Sequence, residues 1–174
     1  VEAYFYGDET TPGLKDWEEL KDVLFLLCED NHGQLRTVPP RDMVDHPGGW
    51  GMYYHFDYHG GPVSYEWVDS TPLAQTWEAM TQAWDYGIRE LWIVNVGDLK
   101  LHEVPLTYFM ALAYDFETWG TGNPDSPARY LARWTAQTFP AATQAQREEI
   151  AGVFQDYVNL NSLRRPEALH PGVY

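Results

Sequence analysis

The chain has 174 residues, enough for one domain or one domain with an appendage, and its 44% hydrophobic content supports a packed core rather than disorder. Acids outnumber bases by 26 to 11, a net charge of −15, and a field of that sign repels phosphate backbones and anionic bilayers, so neither nucleic acid nor membrane is an expected partner. The longest apolar stretches are too short to cross a bilayer, and the first residues carry no basic-then-apolar leader.

In chain order, Thr11-Pro12-Gly13 signals a turn and residues 16–20 suit one helical turn. Residues 23–28 (VLFLLC) form an unbroken apolar run, expected to be a strand buried on both faces of a parallel sheet. Cys28 in that run lacks neighbours for a disulfide or a zinc site and reads as a small buried hydrophobe. Residues 29–49 are polar and broken by Pro39, Pro40 and Pro47, a loop long enough to be functional. Residues 51–58 (GMYYHFDY) suit a second strand, stopped by Gly60-Gly61-Pro62.

The clearest local signal follows. Thr71 is placed to cap a helix and Pro72 to open it, while Leu73, Trp77, Met80 and Trp84 recur at helical spacing and Gly87 ends it. Residues 91–96 (LWIVNV) are the third expected strand, again buried, and strand–helix–strand implies parallel pairing. Helices are expected at 105–119, 128–139 and 144–161, with a break at 120–124. The expected fold is therefore α/β over residues 1–122, built of parallel βα units, followed by a helical region over 123–174.

In parallel α/β sheets ligands bind beyond the carboxyl ends of the strands. Three such ends carry acids, amides or imidazoles: Glu29 to His32, His55 to His59, and Asn95 to Asp98. Their convergence would gather Asp30, Asn31, His55, Asp57, Tyr58, Asn95 and Asp98, a set with acid–base capability. Strand alternation places His55 and Asp57 on one side, where an ordinary core would not leave them unpaired. The pattern His55, Asp57, His59 also permits a divalent metal, which makes a metal-dependent hydrolase an alternative. An aromatic content of 16%, with eight Trp and twelve Tyr, suits sugar rings as well as a core, so a non-catalytic carbohydrate-binding segment is another.

The strings LLCEDNHGQLR, GMYYHFDYHGGPVSYEW and LWIVNVGDLK, in this order, with the tail RRPEALHPGVY, resemble family-115 glycoside hydrolases from about residue 23 to 174. That resemblance implies an enzyme removing α-1,2-linked glucuronic acid, or its 4-O-methyl ether, from xylan by inversion, on a (β/α)8 barrel followed by a helical region. It implies glucuronoxylan or aldouronic-acid oligosaccharides as partners, and a polymeric substrate of that kind suits a secreted or periplasmic location; no cofactor is expected. It makes Asp30, Asp57 and Asp98 the catalytic candidates, with acid and base left open among them. His55, Tyr58, Asn31, Asn95 and Trp50 become sugar-contacting candidates, and Arg36 a partner for the uronate. Three strands are fewer than a barrel needs, so the rest of a longer enzyme chain is the expected partner.

Overall fold

A computed structural model of the chain describes residues 13–57, 71–97, 99–100 and 102–163. Three strands, β1 (Phe25–Cys28), β2 (Trp50–His55) and β3 (Ile88–Asn95), form one sheet in the order β1-β2-β3, with both pairings parallel. Two short 3-10 turns, Leu14–Asp16 and Glu18–Leu20, stand where one helical turn is expected, and a third, Arg41–Met43, lies in the β1–β2 connection. Helix α1 (Leu73–Asp85) links β2 to β3. From there on every described element is a helix: α2 (Glu103–Tyr114), α3 (Phe116–Trp119), α4 (Ser126–Thr138) and α5 (Gln144–Ser162).

Several boundaries have a local cause. Gly87 takes φ +92°, a left-handed conformation that costs glycine little, and stops α1. Thr71 does not cap α1: Pro72 is the cap residue, and among the described residues the buried Thr71 hydroxyl has no hydrogen-bond partner. The helix expected over residues 105–119 is two, because the Asp115 side chain accepts a hydrogen bond from Thr118 N (3.1 Å) and starts α3 anew. A reciprocal Thr143–Gln146 capping box opens α5.

The sheet is covered by helices on one face. Trp50, Met52, Tyr54 and Phe56 alternate onto that face and are almost wholly buried. Phe109 of α2 is their central partner, stacked on Tyr54 (5.9 Å between ring centroids) and edge-on to Phe56 (6.0 Å), with Trp92 of β3 tilted against it (5.8 Å). Met80 and Ala83 of α1 and Tyr130 of α4 belong to the same core, and Tyr108 of α2 bonds Ser126 of α4 (2.8 Å).

The opposite face corrects the expectation that β1 and β3 are buried on both sides. Register places Leu26, Gly51 and Leu91 in one row and Cys28, Tyr53 and Ile93 in the next. Leu26 is 45% exposed, and Leu91 and Ile93 are 40% exposed, so an apolar surface remains uncovered by the described residues. β3 also carries two more residues than β2 in one step, Arg89 and Glu90, since Trp50 pairs with Ile88 and Gly51 with Leu91.

Truncating Phe109 removes the ring around which this core is arranged. Phe109→Ala is expected to destabilise the fold by about 3–5 kcal/mol, read as a lower denaturant midpoint with an unchanged slope.

Candidate active site at the strand ends

β1 ends at Cys28, and the chain turns at once over Glu29 to Gly33. Asp30 holds that turn: its Oδ1 accepts from the backbone amides of His32 (2.9 Å) and Gln34 (3.0 Å). Asn31 takes φ +72° and Gly33 φ +82°. A Cβ on Gly33 would lie 2.7 Å from the Tyr54 hydroxyl, so glycine is required for close approach as well as for backbone angle. The core grips the same turn, since Tyr54 donates its hydroxyl hydrogen to Gly33 O (3.1 Å) and Gln75 of α1 donates to His32 O (2.8 Å).

The turn delivers Glu29 to His55. Glu29 is fully buried and His55 is 4% exposed. Glu29 Oε1 is directly hydrogen-bonded to His55 Nδ1, and Glu29 Oε2 accepts from Gly33 N (2.7 Å). Burial, which disfavours both charged forms, pushes the Glu29 carboxyl up to about 8 and holds His55 below its ordinary value. Burial therefore works against charge on either partner, and one hydrogen joins the two groups. Burial, then the neighbouring Glu29, also raises the Cys28 thiol.

Contacts extend across the strand ends. The His55 ring lies 4.4 Å from that of Tyr53, and Asn95 Nδ2 donates to Tyr53 OH (3.4 Å) while its Oδ1 accepts from Gly97 N (3.2 Å). Asp57 is 6% exposed, and Gly97 packs against its carboxyl. On the β1 side Cys28 Sγ approaches Asn31 Oδ1 (3.8 Å), and Arg36 Nε donates to Cys28 O (3.3 Å).

Of the residues singled out from the sequence, the structure thus brings together Asn31, His55, Asn95 and Arg36, with Asp30 and Asp57 on the same rim. Tyr58 and Asp98 lie outside the described residues, as does His59. Trp50 is a correction: it begins β2, at the far end from this cluster, is 1% exposed, and donates its indole N–H to Met43 O (2.8 Å) beside Phe25. Asp30 is placed as a turn-former. Glu29 was passed over in the sequence for its neighbours; its one signal is an acid directly after the last apolar residue of a strand, with a histidine at the same end of the next strand.

The donors Cys28 Sγ, a Glu29 carboxylate oxygen and His55 Nδ1 lie within 4.8 Å of one another. Thiolate, carboxylate and imidazole are donor types that zinc accepts, while Glu29 and His55 here bond each other directly.

The chain matches the model of glycosyl hydrolase family 115 over residues 1–168, and it belongs to that family. Among solved structures it is similar to BtGH115A, a family GH115 4-O-methyl-alpha-glucuronidase with specificity for decorated arabinogalactans, at 30% identity and a TM-score of 0.74. That likeness covers 84% of this chain and 19% of the other, so the present chain corresponds to a minor part of the relative's length. No curated protein matches.

The buried acid carries a pH signature. Glu29 titrates at 4.5 when unfolded and about 8 when folded, so the folded chain holds the extra proton between those values and stability falls as pH rises through them. His55 is lowered from 6.5, so its contribution has the opposite slope and is complete above that pH. Between about pH 6.5 and 8 only the Glu29 slope of this pair remains. The melting temperature of the protein is expected to drop over that interval, and the drop should shrink in Glu29→Gln, as followed by circular dichroism.

Proposed function

We propose that this chain supplies part of the active site of an α-glucuronidase, which hydrolyses the bond between glucuronic acid, or its 4-O-methyl ether, and a polysaccharide. The observation that carries this reading is the polar rim of Asn31, His55 and Asn95 on three adjacent parallel strand ends, in a chain of family 115. Amide and imidazole groups at such a rim suit the hydroxyls of a pyranose, and Arg36 beside it suits the uronate carboxylate. The name of BtGH115A supports the methylated uronate as the released sugar.

The finer reading is release of α-1,2-linked units from xylan by an inverting mechanism. One carboxylic acid protonates the glycosidic oxygen, and a carboxylate about 6.5–9.5 Å away activates water on the opposite face. Asp57 and Asp98 are the candidates within this chain, since Asp30 is committed to its turn. The uncovered face bearing Leu26, Leu91 and Ile93 is read as the inner wall of a (β/α)8 barrel that further strands of a longer chain close. A secreted or periplasmic location follows from the size of the substrate.

Incubation of the protein with aldouronic-acid oligosaccharides and with decorated arabinogalactan, followed by NMR, tests this. Release of the β-anomer of the uronic acid first indicates inversion. Asp57→Asn and Asn95→Ala are expected to lower kcat/KM by at least about 100-fold at an unchanged melting temperature. Full activity in both variants removes the site, and saturable binding without released sugar turns the reading into a binding segment.

A further inference from the structure

Along the sequence Cys28 has no set of ligand neighbours, because the third donor comes from another strand. β1 and β2 run parallel with Cys28 opposite Tyr53, and Glu29 N donates to Tyr53 O (3.4 Å), which sets Glu29 beside His55. A thiol, a carboxyl and an imidazole thus meet at the carboxyl ends of two neighbouring strands, their donor atoms within 4.8 Å of one another. The side chains of Glu29 and His55 are more than nine-tenths buried, while Cys28 is half-buried and is the donor that solvent reaches.

We propose that Cys28 Sγ, Glu29 Oε1 and His55 Nδ1 form a binding site for a thiophilic divalent cation of the zinc class. The site goes beyond the sugar-binding reading of the rim and does not rest on it.

The donors fit such an ion by type, span and charge. Zinc takes thiolate sulfur at about 2.3 Å and imidazole nitrogen or carboxylate oxygen at about 2.0–2.2 Å, so its ligands lie within about 4.6 Å of each other. The span of 4.8 Å closes to that by rotation of the side chains alone. A divalent ion with one thiolate, one carboxylate and one neutral imidazole sums to zero charge, which a buried position tolerates. The hydrogen between Glu29 and His55 and the thiol hydrogen of Cys28 give way to the ion and leave to solvent.

Support for the ligands is already in place. Glu29 Oε2 accepts from Gly33 N (2.7 Å), so that oxygen stays held while Oε1 turns from His55 onto the ion. Asn31 Oδ1, 3.8 Å from Cys28 Sγ, is an oxygen in reach of the fourth position, which water fills otherwise. Packing alone does not account for the cluster. A strand end serving only the fold needs neither a buried acid nor a buried imidazole, both of which cost free energy to desolvate.

The single cysteine makes the test clean, since a thiolate-to-cobalt charge-transfer band reports Cys28 and nothing else. Chelator-treated protein is titrated with Co2+ and then with Zn2+. The expected result is a saturable band at one ion per chain, bleached by one equivalent of Zn2+ and absent in Cys28→Ser. Glu29→Gln and His55→Phe, shown to be folded by circular dichroism without metal, should bind Co2+ at least about 10-fold more weakly. Zinc-edge X-ray absorption on the native protein, which needs no variant to fold, should show one sulfur among nitrogen and oxygen neighbours. No band in the native protein, a zinc shell without sulfur, or native affinity in folded Glu29→Gln and His55→Phe overturns the proposal, the last by marking an adventitious ion on the thiol alone.

Discussion

Tyr54 is where packing becomes chemistry. Its ring stacks on Phe109 in the middle of the core, and its hydroxyl holds the carbonyl of Gly33. Gly33 in turn holds Glu29, and Glu29 holds His55. A side chain fixed by close packing has one allowed position, so each later member of the chain inherits that position. The polar rim is therefore not a collection of loop residues free to rearrange. It is the outer end of an aromatic core, transmitted through four hydrogen-bonded groups over the top of β2.

The electrostatics of the rim follow from the same burial. The chain carries a net charge of −15, an unfavourable background for an anionic sugar. A buried carboxylate at the head of β1 would add to that repulsion at short range. Desolvation works against that charge by raising the Glu29 carboxyl, which weakens the repulsion an anionic ligand would meet.

Much of the architecture was legible in the sequence because it has local causes. The three apolar runs, the spacing of Leu73, Trp77, Met80 and Trp84, and the stop at Gly87 define β1, β2, α1 and β3 in parallel order. The division of 105–119 at Asp115 was written in an acid three residues before Thr118, a cap signal hidden inside an apolar helix pattern. One-sided burial of β1 and β3 was not legible, because an apolar run shows that both faces avoid water and not what covers each. The site was half legible. His55, Asn31 and Asn95 stand at strand ends, where the rule for parallel sheets puts function. Glu29 and Asp30 are adjacent acids, and only the fold reveals that Asp30 turns back to its own backbone while Glu29 reaches across to the next strand. Trp50 shows the limit of composition: aromatic character suits a sugar, but position along the strand decides which end of the sheet it serves.

The uncovered rows of Leu26, Leu91 and Ile93 have a practical consequence for anyone handling this polypeptide by itself. Hydrocarbon left facing water on the open face of a sheet is an adhesive surface for a second copy. The polypeptide by itself is expected to clump as its concentration rises, however well its aromatic layer holds together. Boundaries for recombinant production are therefore better set by what covers these three side chains than by where the helices begin and end.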